Sequence, residues 1–211
     1  MSESDKKFKL KKQNPAIRRI ERLHQHKMFA YMMILASSIV FLFYLLSFIK
    51  LSLFDVGQIS SSYFPKFFSV STILLTSSLI FSTKILNDYF HDHIKQIRVS
   101  LSLIMITGLL FIIFQSLAWL EILNMETEKN MEVIQNYLYL FSGLHLILIL
   151  TGVILAAWLF YKIVSVEGDP VKSIVLLTNP YEKILLEIFT VFWHYLIILW
   201  IVIYLILLLV Y

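Results

Sequence analysis

The chain alternates between long apolar runs and short polar stretches. The runs cover 29–49, 67–83, 99–120, 137–161 and 188–211, and none contains a Lys, Arg, Asp or Glu. About 20 apolar residues in a helix cross a hydrocarbon core roughly 30 Å thick. Four runs reach that length; 67–83 is shorter and rich in hydroxyls. Backbone groups cannot go unpaired in lipid, so runs of this length must be helices. A barrel would show alternating segments of about 10 residues, and the chain has no such pattern. The pattern therefore predicts an all-α fold: a polytopic membrane bundle of five transmembrane helices. Run 29–49 is too long for the apolar region of a signal peptide and no small-residue cleavage site follows it, so it reads as a retained helix. The expected division is a basic tail with a short helix over 1–28 and a membrane domain over 29–211.

Composition sharpens the class without changing it. Of 211 residues, 59% are hydrophobic, and the mean hydropathy is +0.79; ordinary soluble domains are about 45–50% apolar. There is no Cys. That removes disulfides, thiolate chemistry and cysteine-bound metal, and leaves the compartment open.

Charge sets the expected orientation. Nine Lys and Arg lie before residue 29: Lys6, Lys7, Lys9, Lys11, Lys12, Arg18, Arg19, Arg22 and Lys27. Lys84, Lys95, Arg98, Lys162, Lys172 and Lys183 fall on the same side, against Lys50, Lys66 and Lys129 opposite. The positive-inside rule puts the N-terminus in the cytoplasm. Five crossings then put Tyr211 outside, with the acidic loop of Glu121, Glu126, Glu128 and Glu132. The formal charge of +4 needs no nucleic acid, because basic residues beside a first span set topology and touch anionic lipid. Asn14 and Pro15 read as the cap and first turn of a short helix to about Lys27, on the membrane surface or docked on a partner.

Polar and small residues fall into stripes at helical spacing. Ser71, Ser78 and Ser82 share a face in the second run, with Thr72, Thr76 and Thr83 beside them. Gly108, Gln115 and Trp119 align in the third. His145, Gly152 and Ala156 align in the fourth. Trp193, Trp200 and Tyr204 align in the fifth, next to His194. Small residues let helices approach closely in lipid, so the stripes predict a tight bundle whose hydroxyls bond across helices or to their own carbonyls.

His145 and His194 are the ionisable groups at membrane depth. Their depths differ by roughly 6 Å, which leaves bis-histidine haem ligation open. A usual metal site needs three or four ligands, and no third His or carboxylate lies in any run. Neutral, hydrogen-bonded histidines are the plainer expectation. A proton relay would want an acid partner, and a transporter would want an intramembrane charge; neither is present. No phosphate loop, paired carboxylates or nucleophile elbow occurs. His91, Asp92 and His93, with Asp88, read as a solvated turn or a weak metal site. Nothing in the residues suggests catalysis.

The order of these residues resembles subunit III of haem-copper terminal oxidases. Phe192-Trp193-His194-Tyr195, then Trp200 and Tyr204, is similar to that family's last helix. Ser142-Gly143-Leu144-His145, with Gly152 following, is similar to its Thr-Gly-x-His helix. Gly108-Leu109-Leu110-Phe111, then Phe114-Gln115 and Trp119, is similar to its Gly-x-x-Phe…Gln…Glu-Trp segment. Ser71 to Ser78 is similar to its Asn-Thr-x-x-Leu-Leu-x-Ser-Ser stretch. The matches come in family order and span most of the chain from about residue 28. Four family polar positions depart: the first-helix Glu falls at Ser38, the second His at Leu148, the Glu before Trp119 at Ala118, and the Asp after Trp-His at Ile197.

The resemblance implies a five-helix bacterial form, in the inner membrane, of a cofactor-free accessory subunit. It would stabilise the catalytic subunit I, which carries haem and copper, within a proton-pumping cytochrome c or quinol oxidase of aerobic respiration. Phospholipid would fill an inter-helix cleft, other oxidase subunits or a respiratory supercomplex would be partners, and no metal would bind this chain. Gln115, Trp119, Gly143, His145, Gly152, Trp193, His194, Trp200 and Tyr204 would line the interior or the lipid cleft. Two alternatives stay open: an accessory protein of a nitric oxide reductase with the same fold, and a stand-alone redox protein with haem between His145 and His194.

Overall fold

A computed structural model describes residues 15–51, 65–124 and 129–210. The expected Asn14 cap, the cations from Lys6 to Lys12, Glu126, Glu128 and Tyr211 lie outside the described residues, and the side chains of Arg18, Arg19, Arg22 and Glu132 are likewise not described.

The described chain is helical in six pieces: α1 Pro15–Lys50, α2 Lys66–Phe90, α3 Ile94–Leu123, α4 Lys129–Val166, α5 Pro170–Thr178 and α6 Pro180–Val210. Five of these contain segments long and apolar enough to cross a membrane: Gln25–Lys50, Lys66–Phe90, Ile94–Leu123, Gln135–Val166 and Pro180–Leu209. The short second run thus extends to a full-length helix. Its polar end, Lys84 to Phe90, continues the helix beyond the apolar stretch.

Two features differ from the sequence reading. The expected short helix before Lys27 runs without a break into the first span as α1, 36 residues long. No Gly occurs in it, and its one Pro is the first residue, where a missing N–H costs nothing. The stretch between the fourth and fifth runs holds an extra helix, α5. Asp169 caps it, accepting from the backbone N–H of Val171 at 3.0 Å and Lys172 at 3.2 Å, with Pro170 in its first turn. Cap, proline and the apolar Val171, Ile174 and Val175 were visible signals in the sequence.

Short connections make the neighbours antiparallel. His91, Asp92 and His93 link α2 to α3, and Asp92 takes φ 59°, a left-handed conformation that Asp tolerates better than most residues. α3 packs between α2 and α4; α6 closes the bundle against α2 and α4, and α1 leans on the outside of α6. The core holds Phe68, Phe111, Phe141, Phe189, Trp193 and Trp200, all essentially buried. Large apolar side chains remain exposed along every span, most densely on α1: Phe29, Met32, Leu35, Phe43 and Leu46. A water-soluble monomer does not carry so much exposed apolar surface; a lipid-facing bundle does.

Candidate functional site

The hydroxyl stripe of α2 and the aromatic stripe of α6 face each other in antiparallel register. Four pairs form rungs: Ser69 with Tyr204 at 2.9 Å, Thr72 with Trp200 at 2.9 Å, Ser78 with Trp193 at 2.9 Å, and Ser82 with His194 at 2.9 Å. A hydroxyl has one proton and two lone pairs. Thr72, Ser78 and Ser82 each donate that proton to a carbonyl of their own helix: Phe68 O, Leu75 O and Leu79 O. Each lone pair is then available to an N–H from α6. The indoles of Trp193 and Trp200 must donate. His194 Nε2 likewise donates in the tautomer that leaves Ser82 its bond to Leu79 O. Thr83, grouped with this stripe on spacing, is exposed and bonds Ile80 O instead.

Trp193 is also a wedge. A Cβ added at Gly108 of α3 would meet Val153 Cγ2 at 2.6 Å and Trp193 Cη2 at 3.1 Å, and one at Gly152 of α4 would meet Trp193 Cζ3 at 2.9 Å. The indole thus fills a notch between two glycines on two helices while its N–H reaches a third. Gly143 differs. A Cβ there would sit 3.8 Å from Trp119, an ordinary contact, so close approach does not require glycine at that position.

The same donor logic joins α3 to α4. Trp119 Nε1 donates to Ser142 Oγ at 2.8 Å, and Ser142 donates to Leu138 O at 2.6 Å. Gln115 reaches the other way, its amide 3.2 Å from Ser71 Oγ of α2, whose single proton is shared between that contact and Phe68 O at 2.9 Å. His145 lies beside these, fully buried. Trp200 stacks on its ring with centroids 4.9 Å apart, and Phe111 meets it edge-on at 5.7 Å. The expectation of hydrogen-bonded histidines fits His194 and fails for His145: neither of its nitrogens has a protein partner. The aromatic neighbours that clamp the ring supply no polar atom in its plane.

The departures from the family pattern have apolar or modest surroundings. Ala118 and Ile197 are buried among apolar side chains. Leu148 is half-buried. Ser38, with Ser37, bonds Tyr195 Oη at 3.2 and 2.8 Å and so ties α1 to α6.

Charges gather at the end of the bundle that carries the 91–93 and 167–169 turns. Lys27 of α1 pairs with Glu187 of α6, Lys162 of α4 with Glu182 of α6 at 2.7 Å, and Arg98 of α3 with Glu167 at 2.6 Å. Tyr89 Oη donates to Leu177 O at 2.8 Å and holds the end of α5. Sequence reading counted these cations for topology and missed their carboxylate partners; Glu182 and Glu187, sitting on the basic side just before an apolar run, were the available signal. His91 and His93 stack on each other at 5.9 Å, and His91 Nδ1 donates to Asn87 O. Among the described residues, no three His, Cys, Asp or Glu side chains form a group that could hold a metal ion.

His145 and His194 serve different neighbours. His194 precedes Trp200, the partner of His145, by six residues on α6, an axial offset of about 9 Å. An iron between them would need His194 Nδ1, or Nε2 at the expense of its bond to Ser82. The contacts among the described residues join helices, and the open polar cleft at the charged end is lined by Asp92, His93, Lys95, Gln96, Glu167 and Ser173. Searches with this sequence find no protein-family model that matches it and no curated protein that matches it.

Proposed function

We propose that this chain is a cofactor-free accessory subunit of a haem-copper terminal oxidase, embedded beside the catalytic subunit and stabilising it. One observation carries the reading. The residues that bear the resemblance do one job together. Trp193, Trp200, His194 and Tyr204 engage the α2 hydroxyls, Trp119 engages Ser142, and Gly108 and Gly152 receive Trp193. Each is used in packing helix on helix, which suits a supporting subunit.

The orientation belongs to the same reading. The end with Lys27, Lys84, Lys95, Arg98, Lys162, Lys172 and Lys183 faces the cytoplasm, by the rule that cations stay inside. The membrane is the bacterial inner membrane. The exposed apolar faces meet phospholipid and the catalytic subunit, which supplies haem and copper.

Affinity purification from native membranes in a mild detergent tests this. The expected result is co-elution with a large haem-containing subunit, identified by mass spectrometry, and loss of turnover durability when the chain is removed. A chain that elutes without any oxidase subunit, from membranes that contain an active oxidase, overturns the proposal.

A further inference from the structure

Gln115 Nε2, His145 Nδ1 and His145 Nε2 are buried side-chain atoms without a protein hydrogen-bond partner. They belong to one level of the bundle. Trp119 on α3 bonds Ser142 on α4. Gln115 lies one turn before Trp119, and His145 lies one turn after Ser142 on the antiparallel neighbour, so the two meet at the same height. Trp200 of α6 and Ser71 of α2 complete that level, through the His145 stack and the Gln115 bond.

Neither group can turn away. Trp200 covers one face of the imidazole and Phe111 stands against it. Ser71 takes one end of the Gln115 amide; whichever way the amide is turned, its other end is left over. Buried polar atoms in native cores almost always find protein or ordered water. Three unmatched atoms at one level of an interior whose other hydroxyl rungs are paired across helices therefore point to a guest that can both donate and accept.

We propose that this level is an internal hydration site, in which water bridges Gln115 to the nearer ring nitrogen of His145. A neutral imidazole has one donor and one acceptor nitrogen, and water answers either. The two nitrogens point apart, so one molecule cannot serve both and a second water is required at the far nitrogen. Buried waters typically make about three hydrogen bonds each, which matches a polar level supplied by Ser71, Gln115 and His145. The inference stands on these atoms alone and does not depend on which complex the chain joins.

Water-edited solid-state NMR on the full chain in lipid bilayers, labelled with 15N histidine, tests it. His145→Phe assigns the resonance by its disappearance. The expected result is polarisation transfer from water to both His145 ring nitrogens, strongly reduced in Gln115→Leu at the nitrogen nearer position 115. Both variants keep side chains of similar bulk; should either fail to fold, transfer in the unmodified protein still decides. An unmodified protein whose His145 nitrogens receive nothing from water, or whose ring bonds Gln115 directly through a cross-helix coupling, overturns the proposal.

Discussion

Trp193 and Ser78 share a single directed hydrogen bond: the indole Nε1 donates to Ser78 Oγ at 2.9 Å, and Ser78 gives its own proton to Leu75 O at 2.6 Å. The pair links α6 to α2 with no polar atom left over. Interhelical hydrogen bonds in membranes are worth about 0.6 kcal/mol on average, so the bond alone is a small part of what Trp193 does.

That comparison of magnitudes gives the first prediction. Ser78→Ala removes the acceptor and should cost about 1 kcal/mol, since it leaves a buried N–H unmatched. Trp193→Ala also empties the notch between Gly108 and Gly152 and should cost about 3–5 kcal/mol. Reversible unfolding in mixed detergent measures both. Equal losses would mean that the bond, and not the wedge, holds α6 in place.

The glycines provide a graded test. Gly108→Ala drives a Cβ against Val153, whose branched side chain has little rotamer freedom in a helix, and Gly152→Ala drives one against Trp193. Each should destabilise by about 1–3 kcal/mol through overpacking. Gly143→Ala should be neutral or stabilising by up to about 1 kcal/mol, because alanine favours a helix and the space exists. Gly152→Leu should separate α4 from α6 and, on the proposed function, release the chain from the oxidase. A melt in which all three alanine variants behave alike would refute the placement of the notch.

These contrasts also mark what the sequence could and could not tell. Period and length revealed the five spans, and the serine and tryptophan stripes were legible as packing faces. Their pairing was not. Which stripe meets which depends on how α6 returns between α2 and α4, a non-local choice with no trace in local spacing. Gly143 and Gly152 look alike as small residues, and the distance to the neighbouring indole separates them. His145 and His194 look alike as intramembrane histidines; one has Ser82 within reach and the other has aromatic rings. α5 was missed because nine residues between two long apolar runs read as loop, although Asp169-Pro170 is a helix-start signal.

His194→Phe should retain the fold and cost about 0.6 kcal/mol, the average for one interhelical bond. Ser82 keeps its bond to Leu79 O, so no donor is stranded. Turnover of the oxidase proposed as its partner should be nearly unchanged. Normal assembly with abolished turnover would place His194 in the chemistry.

Asp169 makes α5 sensitive to acid. The Lys172 backbone N–H above all, then the Lys172 side chain, hold its carboxyl below the ordinary aspartate range. A folded pKa below the unfolded one gives stabilisation that is present above the unfolded value and disappears as pH falls through the folded value. Amide exchange at Val171 and Lys172, referenced to the exposed-amide rate at each pH, should accelerate in acid. Asp169→Asn keeps a capping oxygen and should remove that dependence. An identical acid response in both proteins would assign the fraying elsewhere.

If the intramembrane histidines and tryptophans serve only to pack helix on helix, the isolated, purified chain is colourless. Its visible absorption spectrum should show no Soret band, before or after incubation with haem. A Soret band that appears in the purified chain and vanishes in His145→Ala would contradict that role.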